Sequence, residues 1–211
     1  MERKNPTIKE NFNLAIQYYK KNNIKLAENI CKKILTIDPN HFDSILLLGL
    51  IFASYKNFIK SKELLDKALE IKPNHSSAHN NLAAVLNELK EHEKAKIHFD
   101  KAIEINPNNA RAHNNLGAVL IALGKNQEAL KSYKNAILIN PNLTLAVNNL
   151  SKILREIQLD NIKDIEIDNL KEILLLLLRR DDIYHQDIFF YSRLILFQSN
   201  NINKDQITKI I

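Results

Sequence analysis

The chain has 211 residues and a formal net charge of +6 at pH 7, with 45% hydrophobic and 26% charged residues. These values are ordinary for a soluble globular protein, and the length is short for two full domains. Three glycines and five prolines are too few for an all-β fold with many tight turns. The composition therefore favours an all-α fold.

The excess positive charge lies in residues 1–37, which contain eight lysines and arginines against three acidic residues, a net charge of +5. Such a segment can attract acidic partners or nucleic acid, or it can be a solvated helix face rich in lysine. Because no arginines alternate with aromatic residues there, the solvated face is favoured and nucleic acid is not a predicted partner.

The chain begins without the apolar region of a secretory signal. Its longest strictly apolar run, from Ile173 to Leu178, is far too short to span a membrane. Cys31 is the only cysteine, which excludes an internal disulfide and is typical of a reducing compartment. We therefore expect a cytoplasmic protein that does not enter a membrane.

Four prolines recur at an interval of 34 residues, each followed by asparagine: Pro39, Pro73, Pro107 and Pro141. A fixed period in this range is typical of a repeat architecture. Counted from the third residue after each proline, the same positions hold the same residue types. Position 7 is always leucine, and positions 8 and 20 are always small.

The spacing of these positions predicts two helices in each repeat. Positions 7, 8 and 11 share one stripe of a first helix, and positions 20, 24 and 27 share one stripe of a second. Small residues at positions 8 and 20 let the two helices approach closely, and larger ones beside them fill the gaps. Position 8 holds Ala15, Gly49, Ala83, Gly117 and Ser151, and position 20 holds Ala27, Ser61, Ala95 and Ala129.

The turn between the two helices is predicted near Asn22, Lys56, Lys90 and Gly124. Glycine and asparagine tolerate the left-handed conformation that often ends a helix. Each proline then ends the second helix, because proline lacks an N–H and disfavours helix in the residue before it.

These residues resemble the tetratricopeptide repeat (TPR), a helix–turn–helix of 34 residues. The resemblance implies an all-α, right-handed superhelical solenoid whose first helices line a concave groove. Position 4, usually aromatic in the family, departs from the pattern and holds Asn11, Ile45, His79, His113 and Val147. The array covers residues 1–157, with full repeats at 8–41, 42–75, 76–109 and 110–143 and a half repeat at 144–157.

In the family, groove-facing side chains stand near positions 2, 5, 6, 9, 12 and 13 of each repeat. Arg111 at position 2 and Asn87 at position 12 are therefore groove candidates. Asparagines fill positions 5 and 6 of three successive first helices. We call this set the amide row: Asn80, Asn81, Asn114, Asn115, Asn148 and Asn149.

An asparagine side chain offers both donors and an acceptor, so a row of them can hydrogen-bond the backbone of an extended peptide whatever its side chains. The row resembles the asparagines in the TPR region of O-GlcNAc transferase. By that resemblance Asn81, Asn115 and Asn149 are the closest matches. The other interpretation is that asparagine is a polar filler in a chain rich in asparagine.

The second repeat interrupts the amide row with Leu46, Leu47 and Leu50. An exposed apolar patch on a concave wall often marks a partner site. The chain's own N-terminal residues could equally well cover this patch.

No motif predicts catalysis or a cofactor, since the sequence has no glycine-rich phosphate loop, nucleophile elbow or paired catalytic carboxylates. His79 and His113 are expected to pack between helices rather than bind metal, because no cysteine or acidic cluster joins them. His92 and His98 are expected on a solvated face of a second helix. Cys31 occupies a core position without a neighbouring His–acid arrangement, so it is not a predicted nucleophile.

The period ends after residue 157, and residues 158–211 form a distinct apolar segment. One helix is predicted with Asp168 as its cap and another at residues 185–198, both apolar nearly all round. We expect these helices either to close the array and form a homodimer or to dock onto a further domain. The apolar ending ITKII favours a longer protein.

The sequence thus predicts a scaffold, not an enzyme, that binds a protein or peptide in the groove of a TPR array without a cofactor. The alternative hypothesis is the substrate-recruiting region of a larger modifying enzyme. That enzyme would be a glycosyltransferase like O-GlcNAc transferase, a methyltransferase or a sulfotransferase, on the analogy of fold alone.

Overall fold

The computed structural model describes residues 7–156, 172–173 and 175–176. The predicted cap Asp168 and the predicted helix at 185–198 lie outside these residues. Within them the fold is all-α, as predicted. The nine helices are α1 (Ile8–Lys20), α2 (Ile24–Ile37), α3 (Phe42–Ser54), α4 (Phe58–Ile71), α5 (Ser76–Glu88), α6 (His92–Ile105), α7 (Ala110–Ala122), α8 (Asn126–Ile139) and α9 (Thr144–Glu156).

The predicted turns between first and second helices adopt the left-handed conformation. Their φ angles are +62° at Asn22, +58° at Lys56, +64° at Lys90 and +72° at Gly124. After each of them, the next backbone N–H donates to a carbonyl five residues earlier, at N···O distances of 2.8 to 2.9 Å. This bond closes the C-terminal turn of the first helix and reverses the chain. The turn prediction is confirmed in all four repeats.

Side chains satisfy the free N–H groups at the start of the first helices. At the start of α1, Thr7 and Glu10 form a reciprocal capping box. The first helices α3, α5 and α7 are capped from position 34 of the preceding repeat, by His41, His75 and Asn109. His75 Nδ1 accepts the N–H of Ala78 at 3.2 Å, and Asn109 Oδ1 accepts the N–H of Ala112 at 3.1 Å. The imidazole of His75 and the amide of Asn109 therefore cap successive first helices in the same way.

The chain divides into two compact units, one up to Ala112 and one from His113 onward, with the boundary inside α7. In the first unit each helix packs against the next, from α1 to α6. A buried cluster joins α1, α2 and α3 through Ala15, Ala27, Cys31, Leu47, Leu48 and Ile51. Each helix pair therefore buries its apolar stripe against its neighbours, as expected for a solenoid of repeats.

The small residue at position 8 lies under the large residue at position 24 of the same repeat. A Cβ atom on Gly49 would lie 2.9 Å from Leu65, and one on Gly117 would lie 2.7 Å from the ring of Tyr133. In the second repeat, buried Ser61 adds a hydrogen bond from its Oγ to the carbonyl of Gly49 at 2.7 Å. The predicted close approach of the two helices is therefore present.

Position 7 is not equally buried along the array. Leu48, Leu82, Leu116 and Leu150 are at most 7% exposed, whereas Leu14 is 40% exposed. Leu14 lies on α1, and among the described residues no helix precedes α1 to cover it. In the second repeat, Leu48 lies in the buried cluster with Ala15, Ala27 and Cys31 of the first repeat, so its burial depends on the preceding repeat.

In the second unit, α8 packs against α9. Ala129, Tyr133 and Leu150 are buried there. The described part of the C-terminal segment belongs to this unit. Ile173 is fully buried, and Glu172 pairs with Lys134 of α8 at 2.8 Å.

We expect Gly117→Leu to lower the free energy of unfolding by roughly 1–3 kcal/mol, because its side chain would collide with the buried ring of Tyr133. Ala95→Leu should act in the same direction, since Ala95 is fully buried at position 20. Urea unfolding measures both effects. The matched control is Ala118→Leu, at the exposed residue beside Gly117, which should change stability by less than about 0.5 kcal/mol.

Candidate functional site

The first unit contains two members of the amide row, Asn80 and Asn81, both half-buried on α5. Asn80 Nδ2 donates to Asn81 Oδ1 at 3.4 Å. The Oδ1 atom of Asn80 is buried and has no hydrogen-bond partner in the described part of the chain. Asn81 Nδ2 makes no internal hydrogen bond in the described part of the chain, and Asn81 Oδ1 keeps a second lone pair, so both groups of Asn81 remain for a ligand.

The second unit contains the other four members, which form a short hydrogen-bonded chain. Asn114 is only 3% exposed. Its Nδ2 donates to Asn115 Oδ1 at 3.2 Å, and its Oδ1 accepts from Asn149 Nδ2 at 3.1 Å. The bond from Asn149 ties α9 to α7, whereas Asn148 is exposed. Asn114 therefore acts inside the packing, whereas Asn115 Nδ2, Asn149 Oδ1 and the exposed amide of Asn148 remain for another molecule.

The apolar candidates on α3 differ in burial. Leu47 is 7% exposed and lies in the cluster that includes Phe12 and Ile16 of α1. Leu46 and Leu50 are half-buried. Part of the apolar surface predicted from the sequence is thus covered by α1, and Leu46 and Leu50 remain accessible in part.

The two other groove candidates occupy different environments. Asn87, near the end of α5, is half-buried, and its Oδ1 lies 2.9 Å from His92 Nδ1. Arg111, near the start of α7, is exposed. Asn87 is therefore engaged with the following helix, and Arg111 is available to a partner.

Cys31 is fully buried in the cluster of α1, α2 and α3. Burial raises the pKa of its thiol to about 11. Such a thiol holds its proton at neutral pH and is a poor nucleophile. No group of three or more His, Cys, Asp or Glu side chains able to hold a metal ion occurs in the described part of the chain.

Among the described helices, none combines the length and apolar character needed to cross a membrane.

The sequence interpretation missed a contact between His79 and His98. It placed His98 on a solvated face, but the ring is half-buried and its Nδ1 lies 2.9 Å from the Nδ1 of His79. The pair occupies positions 4 and 23 of the third repeat, where the second repeat has Ile45 and Leu64. That apolar counterpart is the signal in the sequence that position 23 faces the interior.

Models of the tetratricopeptide repeat match the chain at residues 11–41, 42–75 and 74–139. With this match over more than half its length, the chain belongs to the TPR family. No curated protein matches it in a sequence comparison.

Solved structures support the same class of fold. The chain is similar to PilF of Pseudomonas aeruginosa, with 20% identity, a TM-score of 0.68, and coverage of 96% of this chain and 88% of that chain. It is similar to YrrB, a TPR protein with an unusual peptide-binding site, with 19% identity, a TM-score of 0.64, and coverage of 87% and 91%. It is also similar to the O-GlcNAc transferase of Thermobaculum terrenum, with 26% identity, a TM-score of 0.60, and coverage of 62% of this chain and 26% of that chain. The predicted all-α TPR solenoid is confirmed.

We expect Asn114→Ala to lower the free energy of unfolding by about 1–3 kcal/mol, because it leaves the amides of Asn115 and Asn149 without their partner. Asn148→Ala is the matched control on α9 and should leave stability nearly unchanged. Urea unfolding compares the two. Equal stability of both variants would mean that the buried amide chain contributes nothing.

The thiol of Cys31 should react slowly with iodoacetamide in the folded chain at pH 8 and quickly in denaturing urea. The reason is its burial and its raised pKa of about 11. Mass spectrometry of the alkylated chain at timed intervals measures both rates. Fast modification without denaturant would contradict the buried position.

Proposed function

We propose that this protein is a scaffold that binds an extended peptide segment of a partner protein on the face formed by its first helices. The observation that carries the proposal is that amide groups remain after internal bonding within each unit: Asn81 Nδ2 in the first unit, and Asn115 Nδ2 and Asn149 Oδ1 in the second. These groups include both donors and an acceptor. The backbone of an extended peptide presents the complementary carbonyl and N–H groups at every residue.

The half-buried residues Leu46 and Leu50 support an apolar contribution to the same binding face. Side chains that are partly exposed on a first helix can receive an apolar residue of the peptide. YrrB, whose fold is similar, is described as a TPR protein with a peptide-binding site. We infer recognition that is mainly directed at the backbone, with apolar anchoring near α3, in a cytoplasmic protein that uses no cofactor.

A second candidate function is the recruitment of substrates for a modifying enzyme of which this chain is one region. The similarity to O-GlcNAc transferase favours it, because the chain corresponds to 26% of that protein. We further propose that residues 1–157 are the binding array and residues 158–211 are a cap or a connector. The burial of Ile173 and the ion pair between Glu172 and Lys134 support docking of this segment on α8.

The coding sequence beyond Ile211 separates the two functions. A catalytic domain in the same reading frame supports recruitment to an enzyme, and an immediate stop codon contradicts it. Size-exclusion chromatography with light scattering tests the homodimer that the C-terminal segment would form.

The binding face is tested with a partner peptide identified by pull-down and mass spectrometry. Replacing Asn81, Asn115 and Asn149 together with alanine should raise the Kd at least about tenfold, because three hydrogen bonds at about 0.5–1.5 kcal/mol each are lost. Isothermal titration measures the affinity. A control variant with Asn29→Ala and Asn126→Ala changes exposed asparagines on second helices and should bind like the wild type.

The peptide itself offers a second comparison. N-methylation of its backbone amides removes N–H donors and should weaken binding, whereas conservative changes of its polar side chains should have little effect. An unchanged Kd for both the triple variant and the methylated peptide would reject backbone recognition by the amide row. Circular dichroism of each variant confirms that it is folded.

A further inference from the structure

The third repeat contains a pair of imidazole rings bonded between its two helices. His79 lies on α5 and is 9% exposed, and His98 lies on α6 and is half-buried. Their ring centroids are 5.2 Å apart, and their Nδ1 atoms are 2.9 Å apart. The second nitrogen of His79, Nε2, lies 2.8 Å from the carbonyl oxygen of Pro73. Both nitrogens of His79 are thus engaged inside the repeat.

These contacts fix where the protons are when the rings are neutral. A carbonyl oxygen only accepts, so Nε2 of His79 carries the proton that is donated to Pro73. Nδ1 of neutral His79 then has a lone pair and accepts from Nδ1–H of His98. If both rings were charged, two N–H groups would face each other across 2.9 Å. The folded pair can therefore hold at most one extra proton, on Nε2 of His98.

A third histidine, at the end of the second repeat, also requires a lone pair. His75 caps α5 by accepting the N–H of Ala78 on Nδ1 at 3.2 Å. A protonated imidazole carries hydrogen on both nitrogens, so it cannot accept this bond. It would also place a positive charge at the positive end of the helix dipole. The ring is held against Phe42 with centroids 4.7 Å apart.

The charged groups around these rings do not reverse the lowering of the pKa values of His75 and His98. Burial is the largest cause that lowers the pKa of His75, and the positive charge of Lys72 lowers it further. The carboxylate of Asp43 on α3 acts in the opposite direction. Burial, followed by the ring of His79, lowers the pKa of His98. On α4, Lys62 acts in the same direction on His98 and Asp66 in the opposite one, and these two residues form an ion pair at 2.8 Å.

Positions 4 and 23 of the second repeat and position 34 of the third show what the same places do without titratable rings. Ile45 and Leu64 take the places of His79 and His98 in the second repeat, where they belong to one apolar cluster. Asn109 takes the place of His75 and caps α7 through Oδ1. Each histidine therefore has a counterpart in the array that performs the same structural task at any pH.

We propose that α5 and α6, together with the cap residue His75 that precedes α5, form an acid-sensitive element, in which protonation of His75 and a second protonation of the His79–His98 pair break the cap of α5 and its contact with α6. The unfolded chain takes up a proton on each of the three rings below the ordinary imidazole pKa of about 6.5. The folded repeat takes up fewer. Stability from these rings is therefore complete above about pH 6.5 and is lost as the pH falls below it. Since α5 also carries Asn80 and Asn81, the loosened helix belongs to the candidate binding face.

The test is urea unfolding of the full chain between pH 7.5 and pH 5, followed by circular dichroism. The comparison variant combines His75→Asn, His79→Ile and His98→Leu, which copies the neighbouring repeats and keeps every carboxylate. Below about pH 6.5 the unfolding constant of the wild type should rise more steeply than that of the variant. The difference should be about tenfold per pH unit for each proton that the folded state excludes. Equal pH dependence of the two chains would overturn the proposal.

A measurement on the wild type alone keeps the proposal testable if the variant does not fold. NMR titration of the imidazole carbon-bound protons should show the rings of His75 and His98 becoming charged only below the ordinary imidazole pKa of about 6.5. Rings that become charged at pH 6.5 or above in the folded chain would reject the mechanism. The single variant His75→Asn then separates the contribution of the cap from that of the His79–His98 pair. It should remove only part of the difference in the pH dependence of the unfolding constant.

Discussion

Everything in this fold depends on the contact between the two helices of a repeat at positions 8 and 24. Gly117 lies so close under Tyr133, and Gly49 under Leu65, that even one added carbon atom has no room. This approach creates a helix pair with apolar stripes still exposed on both sides. Such a pair is not stable alone and must stack on another, so the sequence has to repeat its pattern.

The stacking requirement also explains which positions vary. Leu14 on α1 is 40% exposed in the described part of the chain, although the leucine at the same position of each later repeat is buried. Positions 4 and 23 face each other inside a repeat and tolerate either an apolar pair or two bonded imidazoles. The helix cap at position 34 accepts imidazole or amide. The repeat therefore keeps a small residue opposite a large one at positions 8 and 24, whereas the residue types at positions 4, 23 and 34 differ between repeats.

The amide row illustrates how packing divides residues that look alike in the sequence. Asn114 is buried and bonded on both sides, whereas Asn148 is exposed. An amide with all its groups bonded internally contributes to stability, and one with a spare donor or acceptor can contribute to binding. The proposed peptide recognition and the packing of the helices therefore involve the same short run of asparagines. For a substitution in this run, both the free energy of unfolding and the affinity for a peptide have to be measured.

The sequence alone determined the repeat length, the helix pairs, the left-handed turns and the TPR class, because these follow from local rules that recur every 34 residues. It also identified the positions of the amide row. Only the tertiary structure decided that Leu47 is covered by α1, that Asn114 bonds to Asn149, and that His98 turns inward to His79. These contacts join residues from different helices, and their burial depends on the neighbouring helix, which no local pattern specifies.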